Sequence, residues 1–499
     1  MTGQPEAGAP ASAAGGGASR LREKAARGVK WSLVQTAGSR GATFLVFLVL
    51  ARLLSPRSFG LFTYAQAIVA LLQALADTPL ATIVVQRKSL DRDYLDALFW
   101  ATMGASLGLS LLCFASSGAI GRGVEQPELP PLLRALSLSF LITGLSTVQM
   151  GLLRREFRFR SLAVRSLVGE ASGGVVALVA AFLGAGVWSL VVQRLVASAV
   201  GSVVLWSTST WRPSWRFPMR ALRGSGRFAA GVTGSRMLWV ITNRIDDFLI
   251  GTFLGPVALG FYTVGYRVTR ILSQVFADTL IQVAVAAFAR VQDDPVRLRS
   301  ALTKALRLTG YVGIPVFLAV AMAAEPMVLT LFGPKWIASV PVMRVLALLG
   351  LTRSLQAHGE ALLLAVGRPD LFVRLEVWRT LLMVLGFLLV VDHGILWVAV
   401  ILVCAQYGVS PVLTVLVSRV TGVTVREIAA QYRPALIGGV CMVATMGIAQ
   451  LLLGDAHAAL RLVIQVAAGS AAYVAATWLS DRETVQAAGS FVRLSLVRR

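Results

Sequence analysis

Of the 499 residues, 56% are hydrophobic and 14% charged, and the apolar ones come in blocks of about 20 divided by short basic segments, which excludes a soluble globular domain. Blocks such as Phe44 to Leu54 and Leu381 to Val391 are apolar without alternation, which excludes a membrane-spanning barrel. The net charge of +23 raises nucleic acid as a partner, but the Lys and Arg residues collect on alternate loops, so positive-inside topology accounts for them and no nucleic acid is needed.

In chain order, residues 1–27 read as a disordered cytoplasmic tail, because the Gly, Ala and Pro of residues 1–19 supply no apolar signal-peptide core. Spans follow near residues 29–54, 59–85, 94–120, 130–152, 162–184 and 187–209, which make an N-terminal six-helix lobe over 28–209. Residues 210–225 are too basic and too broken by proline to span. They predict an amphipathic cytoplasmic linker with Trp211, Trp215 and Phe217 at the headgroups. A second six-helix lobe occupies 226–421, with spans near 226–254, 256–288, 306–332, 338–366, 370–392 and 394–418. Two additional helices lie in 422–480, near 433–454 and 460–479, and 481–499 is a second tail. The expected fold is therefore an all-α integral membrane protein of about 14 transmembrane helices. One side gathers Arg154, Arg155, Arg158 and Arg160 and then Arg212, Arg216, Arg220 and Arg223, whereas the other has little beyond Arg52, Arg57, Arg122, Lys335 and Arg461. Both termini are expected in the cytoplasm.

The two sets of six share local sequence at a spacing of about 200 residues. Ala37-Gly38-Ser39-Arg40 answers Thr233-Gly234-Ser235-Arg236, and Ser55-Pro56 with Gly60-Leu61-Phe62-Thr63 answers Gly255-Pro256 with Gly260-Phe261-Tyr262-Thr263. Gln73, Ala76, Asp77 and Thr78 answer Gln274, Ala277, Asp278 and Thr279. Six is an even number of spans, so the repeats are parallel, related by a pseudo-two-fold axis along the membrane normal.

Ionisable groups inside a bilayer cost about 2.5–3.5 kcal/mol each on insertion scales, so each is read as functional or paired. In the seventh span Arg236, Asn243 and Asp247 fall within about 40° of one another, with Arg244 beside them. In the eighth, Arg267, Arg270, Gln274 and Asp278 form a stripe about 80° wide. The repeat pairs Gln66 with Arg267, Gln73 with Gln274 and Asp77 with Asp278, so the polar stripe is shared while the arginines belong to the second half. Together with Arg40 they suit a pyrophosphate or an acidic sugar. The bland alternative is structural pairing: Arg244 with Asp247 at i, i+3, Arg267 or Arg270 with Asp246 or Asp278, and Glu170 with Arg194. In the tenth span Arg353, Gln356 and Glu360 share a face, with His358 nearby, as a proton or cation site or an ordinary polar network. Glu376 and Arg379 are assigned to a helix end at the interface. Cys113, Cys404 and Cys441 lie in apolar helices without metal-binding spacing and read as packing residues. No Walker A loop, GxSxG elbow or HExxH helix occurs, so the reading is a transporter without catalytic residues, metal or cofactor. Coupling to H+ or Na+, or gradient-driven flipping, is the energy source that fits.

The segments Trp31-Ser-Leu-Val, Leu53-Leu-Ser-Pro-Arg-Ser-Phe-Gly, Phe288-Ala-Arg-Val-Gln-Asp-Asp-Pro-Val-Arg-Leu-Arg and Leu331-Phe-Gly-Pro-Lys-Trp carry a resemblance. Across residues 28–480 the chain resembles Wzx-type polysaccharide flippases, the polysaccharide-transporter branch of the multidrug/oligosaccharidyl-lipid/polysaccharide exporter superfamily. The resemblance implies alternating access at the bacterial inner membrane. It also implies a polyprenyl-pyrophosphate-linked oligosaccharide as cargo, held by cationic residues at positions such as Arg40, Arg236, Arg244, Arg267 and Arg270. A polysaccharide polymerase and a chain-length regulator are the protein partners such a role would bring. An ion-coupled multidrug exporter of the same fold is the alternative, for which acidic cavity residues would be expected instead of arginines. A membrane-embedded polymerase would need a large periplasmic loop, and none is present.

Overall fold

The computed structural model describes residues 38–76, 90–222, 226–454 and 456–482. The expected N-terminal tail, Asp77 and most of the C-terminal tail lie outside them. The described residues are mostly helical, with no strand among them, and they divide into two compact units. One comprises the described residues up to Leu53 with Ile68–Val240, and the other comprises Leu54–Ala67 with the described residues from Ile241 onward.

The first unit holds α1 (38–53), the second half of α2 (Pro56–Ala76), α3 (Arg92–Gly123), α4 (Leu129–Arg155), α5 (Phe159–Phe182) and α6 (Trp188–Thr208). Lipid supplies no hydrophobic drive between helices, so close approach depends on small residues. In α5, a Cβ on Gly169 would lie 2.7 Å from the Ala197 carbonyl oxygen of α6, and one on Gly173 would lie 2.6 Å from that of Gln193. The same logic sets Gly144 of α4 over Ser106 of α3, and the Ser146 and Ser202 hydroxyls bond to one another between α4 and α6. After α6 the linker is irregular, with a single 3₁₀ turn at Met219–Leu222. It docks on the start of α3: the backbone N–H of Ser214 donates to Asp96 Oδ1 (3.2 Å), and Trp100 Nε1 donates to the Ser214 carbonyl (2.8 Å). Trp215 is 84% exposed and Phe217 is exposed, as headgroup residues would be, whereas Trp211 packs on Phe99 with ring centroids 5.8 Å apart. Asp96, fully buried beneath the linker, was not singled out from sequence.

α7 (Gly226–Phe253) begins in the first unit and ends in the second, which continues with α8 (Gly255–Val291) and α9 (Pro295–Met322). A short α10 (Ala324–Leu331) and a 3₁₀ turn (Pro334–Ser339) precede α11 (Val340–Ala365), α12 (Pro369–Val390) and α13 (Ile395–Thr421). The pair α14 (Val425–Leu453) and α15 (Ala458–Ser480) packs on α9 and α10. Two helices start earlier than their apolar blocks. α9 is capped by Asp294, whose carboxylate accepts from the N–H of Val296 and Arg297, and α14 by a Thr424–Glu427 capping box. Their first turns are basic, so hydropathy alone placed the spans about ten residues late. Pro315, Pro411 and Pro434 lie inside helices, as membrane helices tolerate.

Nine helices among the described residues are long and apolar enough to cross a membrane. α7 and α12 fall outside that set and carry Arg236, Arg244, Asp246 and Asp247, and Arg374, Glu376 and Arg379, respectively. Of these, Asp246, Asp247 and Arg379 are buried, whereas Arg236 and Arg374 are exposed.

Candidate functional site

The repeat is physically present where α2 meets α8, within the second unit. A Cβ on Gly60 would lie 1.6 Å from the Pro256 carbonyl oxygen, and one on Gly260 would lie 2.0 Å from that of Pro56. The Thr263 hydroxyl reaches Thr63 Oγ1 at 3.3 Å. Positions matched in sequence therefore meet one another reciprocally, as a local two-fold axis requires. Trp336, fully buried, sets its ring edge-on to Phe59 (5.5 Å) and Phe261 (6.1 Å), and Lys335 Nζ donates to the Leu54 carbonyl (2.7 Å). The Leu331-Phe-Gly-Pro-Lys-Trp segment is the wedge at this crossing, and the positive φ of Gly333 (98°) turns the chain into it.

Deeper in α7 and α8 lies a cluster of buried charge. Asp246 and Asp247 are 4% and 1% exposed. Arg244 Nη1 donates to Asp247 Oδ2 at 3.0 Å, and the Tyr262 hydroxyl donates to Asp246 Oδ2 at 2.7 Å. Arg270 stacks on Tyr266, 4.2 Å from the ring centroid, within electrostatic range of both carboxylates. Adjacent carboxylates facing adjacent helix arginines compensate one another, which lets them be buried together. The i, i+3 pairing of Arg244 is realised. Asp246, named from sequence as a partner for Arg267 or Arg270, lies in electrostatic range of Arg270, and Tyr262 is the member of the cluster that no local spacing discloses.

The remaining candidates are dispersed. Arg40 of α1 is half-buried, and Arg236 of α7 is exposed with its guanidinium 4.4 Å above the Trp239 ring. Gln66 and Asn243 are half-buried, as is Arg267, while Gln274 is exposed. Gln73 Nε2 donates to the Thr143 hydroxyl of α4 at 3.1 Å. The side chain of Asp278 lies outside the described residues, as does Asp77. Glu170 accepts from the Thr43 hydroxyl (3.1 Å), and Arg165, Arg194 and Glu170 interact electrostatically.

A second polar centre joins α11, α12 and α13. Arg379 Nη1 donates to Gln406 Oε1 (2.8 Å) and Nη2 to Glu376 Oε2 (2.5 Å), and Gln406 Nε2 donates to Gln356 Oε1 (2.6 Å). Gln356 in turn bonds Ser410, and Arg353 lies in electrostatic range of Arg379. Arg379 is 6% exposed in the middle of α12. Its assignment to a helix end at the interface is therefore corrected: the guanidinium is turned inward, where Glu376 of α12 and Gln406 of α13 accept from its two Nη atoms and its Nε has no hydrogen-bond partner among the described residues. Glu360 and Gln356 are half-buried on α11, and His358, which is buried, bonds the Thr309 hydroxyl of α9. No group of His, Cys, Asp and Glu suited to a metal ion occurs among the described residues.

Residues 49–341 match the family described as polysaccharide biosynthesis protein. The lipopolysaccharide biosynthesis protein WzxC of Escherichia coli (strain K12) is 28% identical over 366 residues, 73% of this chain and 74% of that protein. The succinoglycan biosynthesis transport protein ExoT of Rhizobium meliloti (strain 1021) is 30% identical over 322 residues, 64% of this chain and 65% of that protein. Among solved structures, the lipid II flippase MurJ in an inward closed conformation superposes with a TM-score of 0.74, covering 92% of this chain and all of that one at 13% identity. That likeness extends the shared fold to nearly the whole chain.

Proposed function

The chain belongs to the polysaccharide biosynthesis protein family, and from that premise we propose that it is a flippase moving polyprenyl-pyrophosphate-linked oligosaccharides across the bacterial inner membrane by alternating access. The observation that carries the reading is the family match over 49–341, in a multi-pass helical chain whose relatives are named for polysaccharide biosynthesis and transport. The exported repeat units would serve lipopolysaccharide, capsule or exopolysaccharide assembly, with both termini in the cytoplasm. A polymerase and a chain-length regulator would act on the delivered units.

Cargo of this class carries a pyrophosphate, which guanidinium groups bind by paired charge-assisted hydrogen bonds. Arg40, Arg236, Arg244, Arg267 and Arg270 are the proposed headgroup contacts. Gln66, Gln73, Asp77, Asn243, Asp247, Gln274, Asp278, Arg353 and Glu360 are proposed as the polar and coupling groups that accompany them. Coupling to H+ or Na+ would drive the cycle.

The test is a deletion strain in which surface polysaccharide and the inner-membrane precursor are both measured. Loss of surface polymer with precursor accumulating on the cytoplasmic leaflet is expected. Unchanged polymer together with sensitivity to cationic drugs would overturn the reading in favour of a multidrug exporter. In the complemented strain, Arg267→Gln with Arg270→Gln is expected to abolish export at matched levels of inserted protein, and wild-type export by a properly inserted double variant would remove these two arginines from the cargo site.

A further inference from the structure

The Glu376–Arg379 centre lies on α12, with Tyr266, the ring on which Arg270 stacks, in electrostatic range of it. Its arrangement is that of a switch. Arg379 is buried near mid-span, and the hydrogen-bond partners of its guanidinium are one carboxylate, Glu376, and one neutral amide, Gln406. Gln406 is also the link to α11 through Gln356, which bonds Ser410 of α13. One turn on, the Thr380 hydroxyl donates to the Glu376 carbonyl (2.8 Å), so the bond to Thr242 of α7 (2.8 Å) is donated by Thr242. The groups facing the pair are Thr242 from α7, Tyr266 from α8, Arg353 and Gln356 from α11, and Gln406 and Ser410 from α13. Glu376 is the carboxylate among them, and Arg353 is a second cation bearing on the same point.

This asymmetry gives the pair two states. With Glu376 ionised, the pair is neutral and its hydrogen bond is charge-assisted. One proton added to the carboxylate leaves a net charge of +1. The neutral carboxyl keeps a carbonyl oxygen that can accept from the guanidinium, but without the charge that strengthened the bond. Arg379 is then buried in electrostatic range of Arg353 with only neutral acceptors as its partners, a condition that is unfavourable in a low-dielectric interior. Relief requires α12 to move relative to α11 and α13, which the Gln406–Gln356 link holds in register. Glu376 is the less buried member of the pair, its side chain 28% exposed against 8% for Arg379.

We propose that Glu376 is a proton-binding carboxylate of the transport cycle, with Arg379 as its built-in counter-charge, and that protonation releases α12 from α11 and α13. The inference rests on the flippase reading and selects H+ as the coupling ion.

The experiment uses purified full-length protein in liposomes with a pH-sensitive dye inside. The probe is the lipid-linked precursor fraction extracted from the deletion strain. Wild-type protein is expected to move protons when this fraction is added, equally in sodium-free buffer. Glu376→Gln should lower that flux by about tenfold or more, and Glu376→Asp should restore most of it. Because Glu376→Gln alone strands Arg379 and so lowers insertion, Glu376→Gln combined with Arg379→Gln is measured in parallel. This neutral pair should insert normally and flip precursor down its gradient without proton movement. Proton flux at the wild-type level in the double variant would overturn the proposal and leave the pair a structural tie. Wild-type protein that flips precursor without proton flux would also overturn it while leaving the flippase reading intact. If wild-type protein flips no precursor and the deletion strain keeps its surface polymer, the flippase reading itself fails and this inference falls with it.

Discussion

Asp247 shows how much a single buried carboxylate can hold together inside a membrane protein. Its carboxylate is almost wholly buried, accepts from Arg244 and lies in range of Arg270, so it compensates two cations. Removing one partner of a buried pair typically costs about 3–5 kcal/mol, because the other charge is left without compensation. Asp247→Asn should therefore lower the unfolding temperature in detergent by many degrees. Arg244→Gln should lower it less, since Arg244 is 37% exposed and Arg270 still faces Asp247. Equal losses for the two variants would show that the cluster is not organised around Asp247. The Arg244–Asp247 pair was legible in the sequence because i, i+3 spacing is local. The Arg379 centre was not, because Gln406 lies on another helix 27 residues further along the chain, and its own partner Gln356 lies on a third, 50 residues before Gln406. No periodicity within α12 can disclose partners that arrive from α11 and α13.

At the scale of elements, glycine decides where helices touch. The α2–α8 crossing brings Gly60 and Gly260 against backbone carbonyls, which no rotamer change can move aside. Gly60→Ala must therefore separate the two helices and loosen the Trp336 wedge between Phe59 and Phe261. Overpacking of this kind costs about 1–3 kcal/mol or more, so inserted protein and unfolding temperature should both fall. Gly108→Ala in α3 is the matched control, because a Cβ there meets nothing within 4 Å. Helix propensity favours alanine by up to about 1 kcal/mol, so that variant should be neutral or slightly stabilised. A Gly60→Ala protein as stable as Gly108→Ala would mean the crossing is looser than its geometry indicates. The turn segments were readable in sequence as fold markers, and the structure gives their work: Asp294 and Pro295 start α9, and Gly333 aims Trp336. What hydropathy missed was the first turns of α9 and α14, where polar caps extend a helix past its apolar block.

At the scale of the whole molecule, the duplication seen as a spacing of about 200 residues becomes an axis. Thr63 and Thr263 are equivalent positions, and a residue can meet its own equivalent only where a two-fold axis passes between them. The reciprocal Pro56–Gly260 and Pro256–Gly60 contacts place the same axis at the same crossing. Sequence could supply the equivalence but not the meeting, since a repeat can be present without its equivalent positions lying on the axis. A direct check is a protein in which Cys113, Cys404 and Cys441 are changed to serine and Thr63→Cys is combined with Thr263→Cys. With a protease site placed in the 210–225 linker, oxidation should hold the two cleaved fragments together on a non-reducing gel, and reductant should free them. Either single cysteine variant should give separate fragments throughout. If the double variant inserts normally and still separates after oxidation, the matched segments do not meet, and the repeat would be a resemblance of sequence without the symmetry that α2 and α8 display.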